Sequence, residues 1–165
     1  MDELDVRIIT LEPMRVASAL GFGGSPEIDA WGLLLDWAGS QGLLDEIGAQ
    51  RFFGFNNPNP SPASPNYGYE QWMSVGPGVV EEGGSAGGVE IKTFPGGRFA
   101  VTRCRGISKL GETWKALVAW QEDSPHQMTQ NACLEEMLNP QLMLNLDEEI
   151  DFENLLFDLY LPLAG

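Results

Sequence analysis

Basic side chains, histidine and cysteine are all scarce in this chain. Among 165 residues there are 9 Lys and Arg against 24 Asp and Glu, one His and 2 Cys, for a net charge of −15. Direct nucleic-acid binding is excluded, because phosphate contact needs clustered Lys and Arg to release counterions. Cys104 and Cys133 supply neither a disulfide framework nor the spacing of a metal site, and read as reduced thiols. The single histidine, His126, follows Pro125 in a loop and has no Ser or Cys partner in a recognisable motif, which makes it a surface residue rather than a catalytic one. No apolar run approaches the ~18 residues of a membrane span. The opening Met1-Asp2-Glu3-Leu4-Asp5 lacks the basic-then-apolar pattern of a signal peptide, so a cytoplasmic location without membrane contact is expected. The glycines of Gly83-Gly84 and Gly87-Gly88 lack the Lys and following helix of a phosphate loop, and Asp147 to Asp151 lacks the Gly and terminal Glu of a calcium loop. No metal and no cofactor is expected. The acidity itself speaks first of solubility and only secondarily of cationic ligands.

What the chain does contain is a copy of itself. At an offset of 83 positions Val6 falls on Val89, Ile8 on Ile91, Thr10 on Thr93, Arg15 on Arg98 and Ala17 on Ala100. The same offset then carries Trp31 onto Trp114, Leu34 onto Leu117 and Trp37 onto Trp120. Near the end of each half the offset becomes 88, laying Tyr69-Glu70-Gln71-Trp72-Met73 over Phe157-Asp158-Leu159-Tyr160-Leu161. Two copies this long form a pseudo-symmetric pair with a seam, not a solenoid.

Each half reads as a strand, a helix and two further strands. Val6 to Leu20 is β-branched and apolar with a bend at Pro13, Ser25 caps a helix with Pro26 at its first position, and Ile28, Trp31, Leu34, Leu35 and Ala38 form an apolar stripe. Strand signals return at Gln50 to Asn56 and Tyr67 to Val75. In the second half the elements are Val89 to Arg105, a break at Gly106 to Gly111, the helical stripe of Trp114, Leu117, Val118 and Gln121, then Gln130 to Met137 and Leu156 to Leu163. Asn56 to Asn66 is a loop dense in Pro, Asn and Ser, Asn145 to Asn154 an acidic one. The expected fold is α+β: a duplicated β-α-β-β unit forming a mainly antiparallel sheet, helices on one side and a groove at the seam. It occupies residues 1–165 as one domain, with repeat 1 about 5–76, a Gly/Glu-rich linker about 77–88 and repeat 2 about 89–165.

The stretches FGFNNPNPSPASPNYGYEQWMSV (53 to 75), KTFPGGRFAVTRCRG (92 to 106), LGETWKALVAW (110 to 120), NACLEEMLNP (131 to 140) and LFDLYLPL (156 to 163) resemble the GyrI-like small-molecule-binding domain. That domain also serves as the effector-binding part of multidrug-responsive bacterial transcription activators, and the resemblance covers nearly the whole chain. It implies a groove between the repeats that holds amphipathic, often cationic, aromatic molecules against aromatic walls and a buried glutamate. Some relatives instead look like hydrolases of strained cyclopropane-containing compounds. The family's glutamate maps onto Glu135 in LEEML, where Leu134 and Met137 replace the usual aromatic residues, and Glu70 in YGYEQW is its counterpart in the first half. Glu136 is then a solvent-facing neighbour.

Strand alternation places Glu70 and Trp72 on one face, with Asp158 and Tyr160 on the equivalent face of the second half. A carboxylate beside a ring suits an organic cation. Phe55 and Phe99 complete the candidate wall. Read without the resemblance, Glu70 is better taken as a solvated edge-strand charge, and Trp31, Trp37, Trp114 and Trp120 are core. Three functions stay open: a stand-alone binder of hydrophobic or cationic small molecules with no DNA-binding module, a hydrolase using Glu70 or Glu135 as base, or a protein-interaction module. A monomer or weak homodimer is expected.

Overall fold

The computed structural model describes residues 4–44, 49–56, 66–79, 88–144 and 148–165. Most of the expected linker, nearly all of the Pro/Asn/Ser loop and the start of the acidic loop lie outside these residues. The elements are β1 (Arg7–Leu11), β2 (Met14–Gly23), α1 (Pro26–Ser40), β3 (Phe52–Asn56), β4 (Tyr67–Ser74), β5 (Val89–Phe94), β6 (Gly97–Arg105), α2 (Leu110–Glu122), β7 (Leu134–Met137) and β8 (Leu156–Leu163). Pro26 opens α1 as expected, although the Ser25 side chain makes no capping bond. No helix among the described residues is long and apolar enough to cross a membrane.

The strands form one eight-stranded sheet in the order β1-β6-β8-β7-β3-β4-β2-β5, antiparallel at every step. Both sequence offsets reappear in its register. Ala17 pairs with Met73 and Leu20 with Glu70, while their repeat equivalents Ala100 and Arg103 pair with Leu161 and Asp158. The bend at Pro13 turns out to be a full break. A proline has no N–H for the ladder, and the chain before it leaves its own half. β1 pairs with β6 of the second half, with Ile8 opposite Ala100, and β5 of the second half pairs with β2 of the first, with Ile91 opposite Ala17. The halves thus exchange their first strands. The corresponding turn before β6 rests against this break: a Cβ on Gly96, which has φ +83°, would stand 2.3 Å from the Leu11 carbonyl oxygen.

Both helices lie on one side of the sheet. Ala17, Ala19 and Ala100 give them a low floor, and Trp31, Leu34, Phe52, Met73 and Leu161 fill the space above it. The opposite face carries a second apolar cluster, with Phe53, Trp72, Phe99 and Tyr160 at its centre and the ring of Tyr160 edge-on to both Phe53 and Phe99 at 5.6 Å. The two helices are not equally embedded. α1 buries Trp31, Leu34, Trp37 and others, whereas Leu117 is the one fully buried residue of α2. Leu117→Ala is therefore expected to cost about 2–5 kcal/mol, read as a lower urea midpoint, and Leu117→Met less than about 1.5 kcal/mol.

Candidate functional site

Side chains that point toward the helices from β3, β4, β7 and β8 form the floor of a groove between α1 and α2. Tyr69, Gln71, Glu135, Met137 and Phe157 lie below, with Glu27, Ile28 and Trp31 from α1 on one wall and Leu110 and Trp114 from α2 on the other. The cavity measures about 500 Å³, within the range of small-ligand sites. Trp31 and Trp114, equivalent in the two repeats, flank it from opposite sides. The reading of these tryptophans as core is correct for Trp31 and Trp37, both buried, but Trp31 also lines the groove and Trp114 is only partly covered.

Glu135 sits at the centre. Its Oε1 accepts from the Tyr69 hydroxyl at 3.0 Å and its Oε2 from the Trp114 indole N–H at 2.9 Å. Burial pushes its carboxyl above the ordinary value, the two donors pull it part of the way back, and the neighbouring Glu27 charge pushes it up again. The Tyr69 hydroxyl, fully enclosed and beside that carboxylate, is driven well above its usual range and stays a donor. Glu27, the second acid of the groove, accepts from the Tyr67 hydroxyl.

A glycine makes this arrangement possible. Gly54 is the ladder partner of Glu135. Gly54 pairs with Gln71 on β4 and Glu135 with Leu159 on β8, which are themselves repeat equivalents, so the two residues are each other's counterparts and the pseudo-twofold axis passes between them. A Cβ at Gly54 would stand 2.2 Å from the Tyr69 hydroxyl oxygen and 2.5 Å from its ring. The missing side chain is the space through which Tyr69 reaches the acid.

Of the residues singled out from the sequence, Glu135 alone lies centrally in the groove. Phe55 borders an adjoining recess that Glu135 and Trp114 also line. Glu70 and Trp72 do share a face, as do Asp158 and Tyr160, but it is the face away from the helices, where Phe99 also lies. The two glutamates thus do not converge on one seam. Glu70 pairs across the ladder with Phe55 and Glu135 with Gly54, one residue earlier, so they project from opposite sides of the sheet. Glu70 is held by Ser18, by the Trp72 indole and by Lys92 at 2.9 Å. Asp158 faces Arg7 and Arg103, each at 3.1 Å. Glu136 is not solvent-facing: it is buried, takes both Nε and Nη2 of Arg51, and accepts from Tyr160. Glu135, by contrast, has no basic side chain within ion-pair distance among the described residues.

Tyr69, Gln71, Trp31, Trp114 and Glu27 were absent from the sequence-derived set. The signal for the first two was the alternation itself, which puts Tyr69 and Gln71 on the face opposite Glu70. For the tryptophans it was their repeat equivalence, which brings Trp31 and Trp114 to the seam together.

A duplicated antiparallel sheet, two helices on one face and a glutamate-floored groove between them define a GyrI-like effector-binding domain. The chain belongs to the family of integron-associated effector binding proteins, Cass2, whose model matches residues 7–163. Among solved structures it is similar to EcmrR in its DNA complex, with TM-score 0.68 and 14% identity, covering 98% of this chain but 57% of that one. The separately solved EcmrR C-terminal domain is covered over 98% of each chain, with TM-score 0.66 and 13% identity. A hydrolase from Listeria innocua aligns with TM-score 0.69 and 13% identity over 99% of this chain and 94% of its own. The integron cassette protein Cass2 of Vibrio cholerae aligns with TM-score 0.53 and 9% identity over 96% and 95%. At these identities the likeness is one of fold. No curated protein sequence matches this chain.

Two outcomes test the geometry. Gly54→Ala is expected to displace Tyr69 and remove one donor from Glu135, so the Glu135 titration followed by carboxyl NMR moves upward; Gly76→Ala, where a Cβ meets nothing within 4 Å, leaves it in place. Because the folded carboxyl titrates above its unfolded value, Glu135 is a liability once it ionises, and stability falls as pH rises through that interval. The Glu135→Gln variant is accordingly expected to gain on the parent in chemical unfolding from pH 4 toward pH 8, with the difference smallest at the acid end.

Proposed function

We propose that the protein is a receptor for small amphipathic organic cations, bound in the groove between the repeats with the positive centre against Glu135. One observation carries this reading. Of the four buried or half-buried carboxylates of the sheet among the described residues, Glu70, Glu136 and Asp158 each have an Arg or Lys partner, whereas Glu135 is met only by neutral donors in a largely apolar cavity. A desolvated carboxylate costs several kcal/mol unless paired, and an entering cation supplies the missing charge. Trp31 and Trp114 line the same cavity, and aromatic surroundings favour an organic cation. Membership of an effector-binding family supports the reading, and the overall acidity of the chain favours the approach of cations over anions. Sensing or sequestration is the resulting role.

A (naphthylmethyl)trimethylammonium probe is expected to quench the tryptophan fluorescence saturably, through Trp31 and Trp114 rather than Trp72. Glu135→Gln should weaken it about tenfold or more and leave its neutral neopentyl isostere unchanged. Equal affinity of the cation and the isostere would reject the reading. Turnover of a strained electrophile that is lost in the Gln variant while affinity is kept would replace receptor with hydrolase.

A further inference from the structure

The groove does not end at Glu135. Beyond it opens a second recess of about 730 Å³, and Asn56, Trp114 and Glu135 line both cavities. The carboxylate therefore stands at a junction and not at a blind end. The two spaces differ in chemistry. The inner one is lined by Ile28, Trp31, Leu110, Met143, Leu155 and Phe157. The outer one is bordered by the segment Met128 to Cys133, whose Thr129, Gln130 and Asn131 present a hydroxyl and two amides.

That segment is anchored. Met128 bridges to Leu163 beyond the end of the β7 pairing, the Thr129 N–H donates to the Pro162 carbonyl at 3.1 Å, and the Ala164 N–H donates to the Gln127 carbonyl at 2.8 Å. The Thr129 hydroxyl accepts from the Asn131 N–H at 3.2 Å, which folds the chain back so that Gln130 and Asn131 border the recess. The side-chain amides of Asn56, Gln130 and Asn131 make no hydrogen bond among the described residues. A row of amides that neither cap a helix nor bind the backbone has its hydrogen-bonding capacity open to a neutral partner.

We propose that the outer recess is a second subsite of the same groove, for an uncharged hydrogen-bonding arm of the ligand. Resting on the receptor reading above, it specifies the ligand class: an organic cation whose positive centre separates an apolar aromatic body, seated between the helices, from a hydroxyl- or amide-bearing arm lying along Asn56, Gln130 and Asn131. An anionic arm is disfavoured there by Glu135 and by the sign of the chain. An alkyl arm would leave the amides no better bonded than water does.

The test uses two probes with the same (naphthylmethyl)dimethylammonium core, one carrying an n-butyl arm and the other a 2-acetamidoethyl arm, titrated calorimetrically against the full chain. The acetamide probe is expected to bind roughly three- to tenfold more tightly. In the Gln130→Ala/Asn131→Ala variant, which changes only exposed side chains and leaves folding intact, that ratio is expected to collapse to about one while the butyl probe keeps its affinity. Glu135→Gln is expected to weaken both probes together. Equal affinities of the two probes for the parent protein, or a ratio that survives in the double variant, overturns the second subsite and leaves the receptor reading standing. Failure of both probes to bind the parent overturns the two readings at once.

Discussion

The pairing of β3 with β7 is the constraint on which the rest of the molecule depends. Three ladder positions, Phe52 with Met137, Phe53 with Glu136 and Gly54 with Glu135, join the two halves at the pseudo-twofold axis. Residues directly opposed in such a ladder hold their Cβ atoms about 4.5–5.5 Å apart. Perfect symmetry at the axis would set two like residues against each other at that distance. Two glutamates would repel, and each would block the tyrosine that orients the other. At this position the two repeats differ, with Gly on one strand and Glu on the other, and the outcome is a single oriented carboxylate under a groove made from both halves.

The two faces of the sheet divide its buried and half-buried acidic residues into those with a cationic partner and one without. On the face away from the helices Glu70, Glu136 and Asp158 lie among Phe53, Trp72, Phe99 and Tyr160, and every one has a cationic partner at its side. Removing such a partner leaves an uncompensated charge, so these pairs hold their surroundings in one arrangement. On the helix face the pairing is withheld. Tyr69 and Trp114 fix the direction of Glu135 without neutralising it, which leaves the group oriented and without a counter-charge among the described residues.

Much of the fold was legible because duplication converts weak local signals into strong ones. The offsets of 83 and 88 carry the β2–β4 ladder onto the β6–β8 ladder, and the boundaries of β8 match the apolar run from Leu156 to Leu163. The exchange of β1 and β5 left no trace, since strand pairing between distant segments has no local pattern and a proline bend looks the same whether the chain continues or departs. The site was only half legible. In the short strand Leu134–Met137 two glutamates are adjacent, and alternation says that they point oppositely without saying which points inward. Glu136 was misplaced because the residue that makes its burial tolerable, Arg51, lies in the other repeat. Glu70 reads from the sequence as the first-half counterpart of the family's glutamate at Glu135, yet the ladder equates Glu70 with Asp158 and Glu135 with Gly54.

The traded first strands also bear on how the chain is made. Arg7 to Leu11 is synthesised before Gly97 to Val101, the residues beside which it lies in the sheet. Neither repeat closes its own edge, so vectorial assembly half by half is denied, and β1 waits until β6 has been synthesised. Contacts of such long sequence separation slow the search for the native state. In its connections the sheet has the form of a strand-swapped dimer whose two copies are joined in one chain.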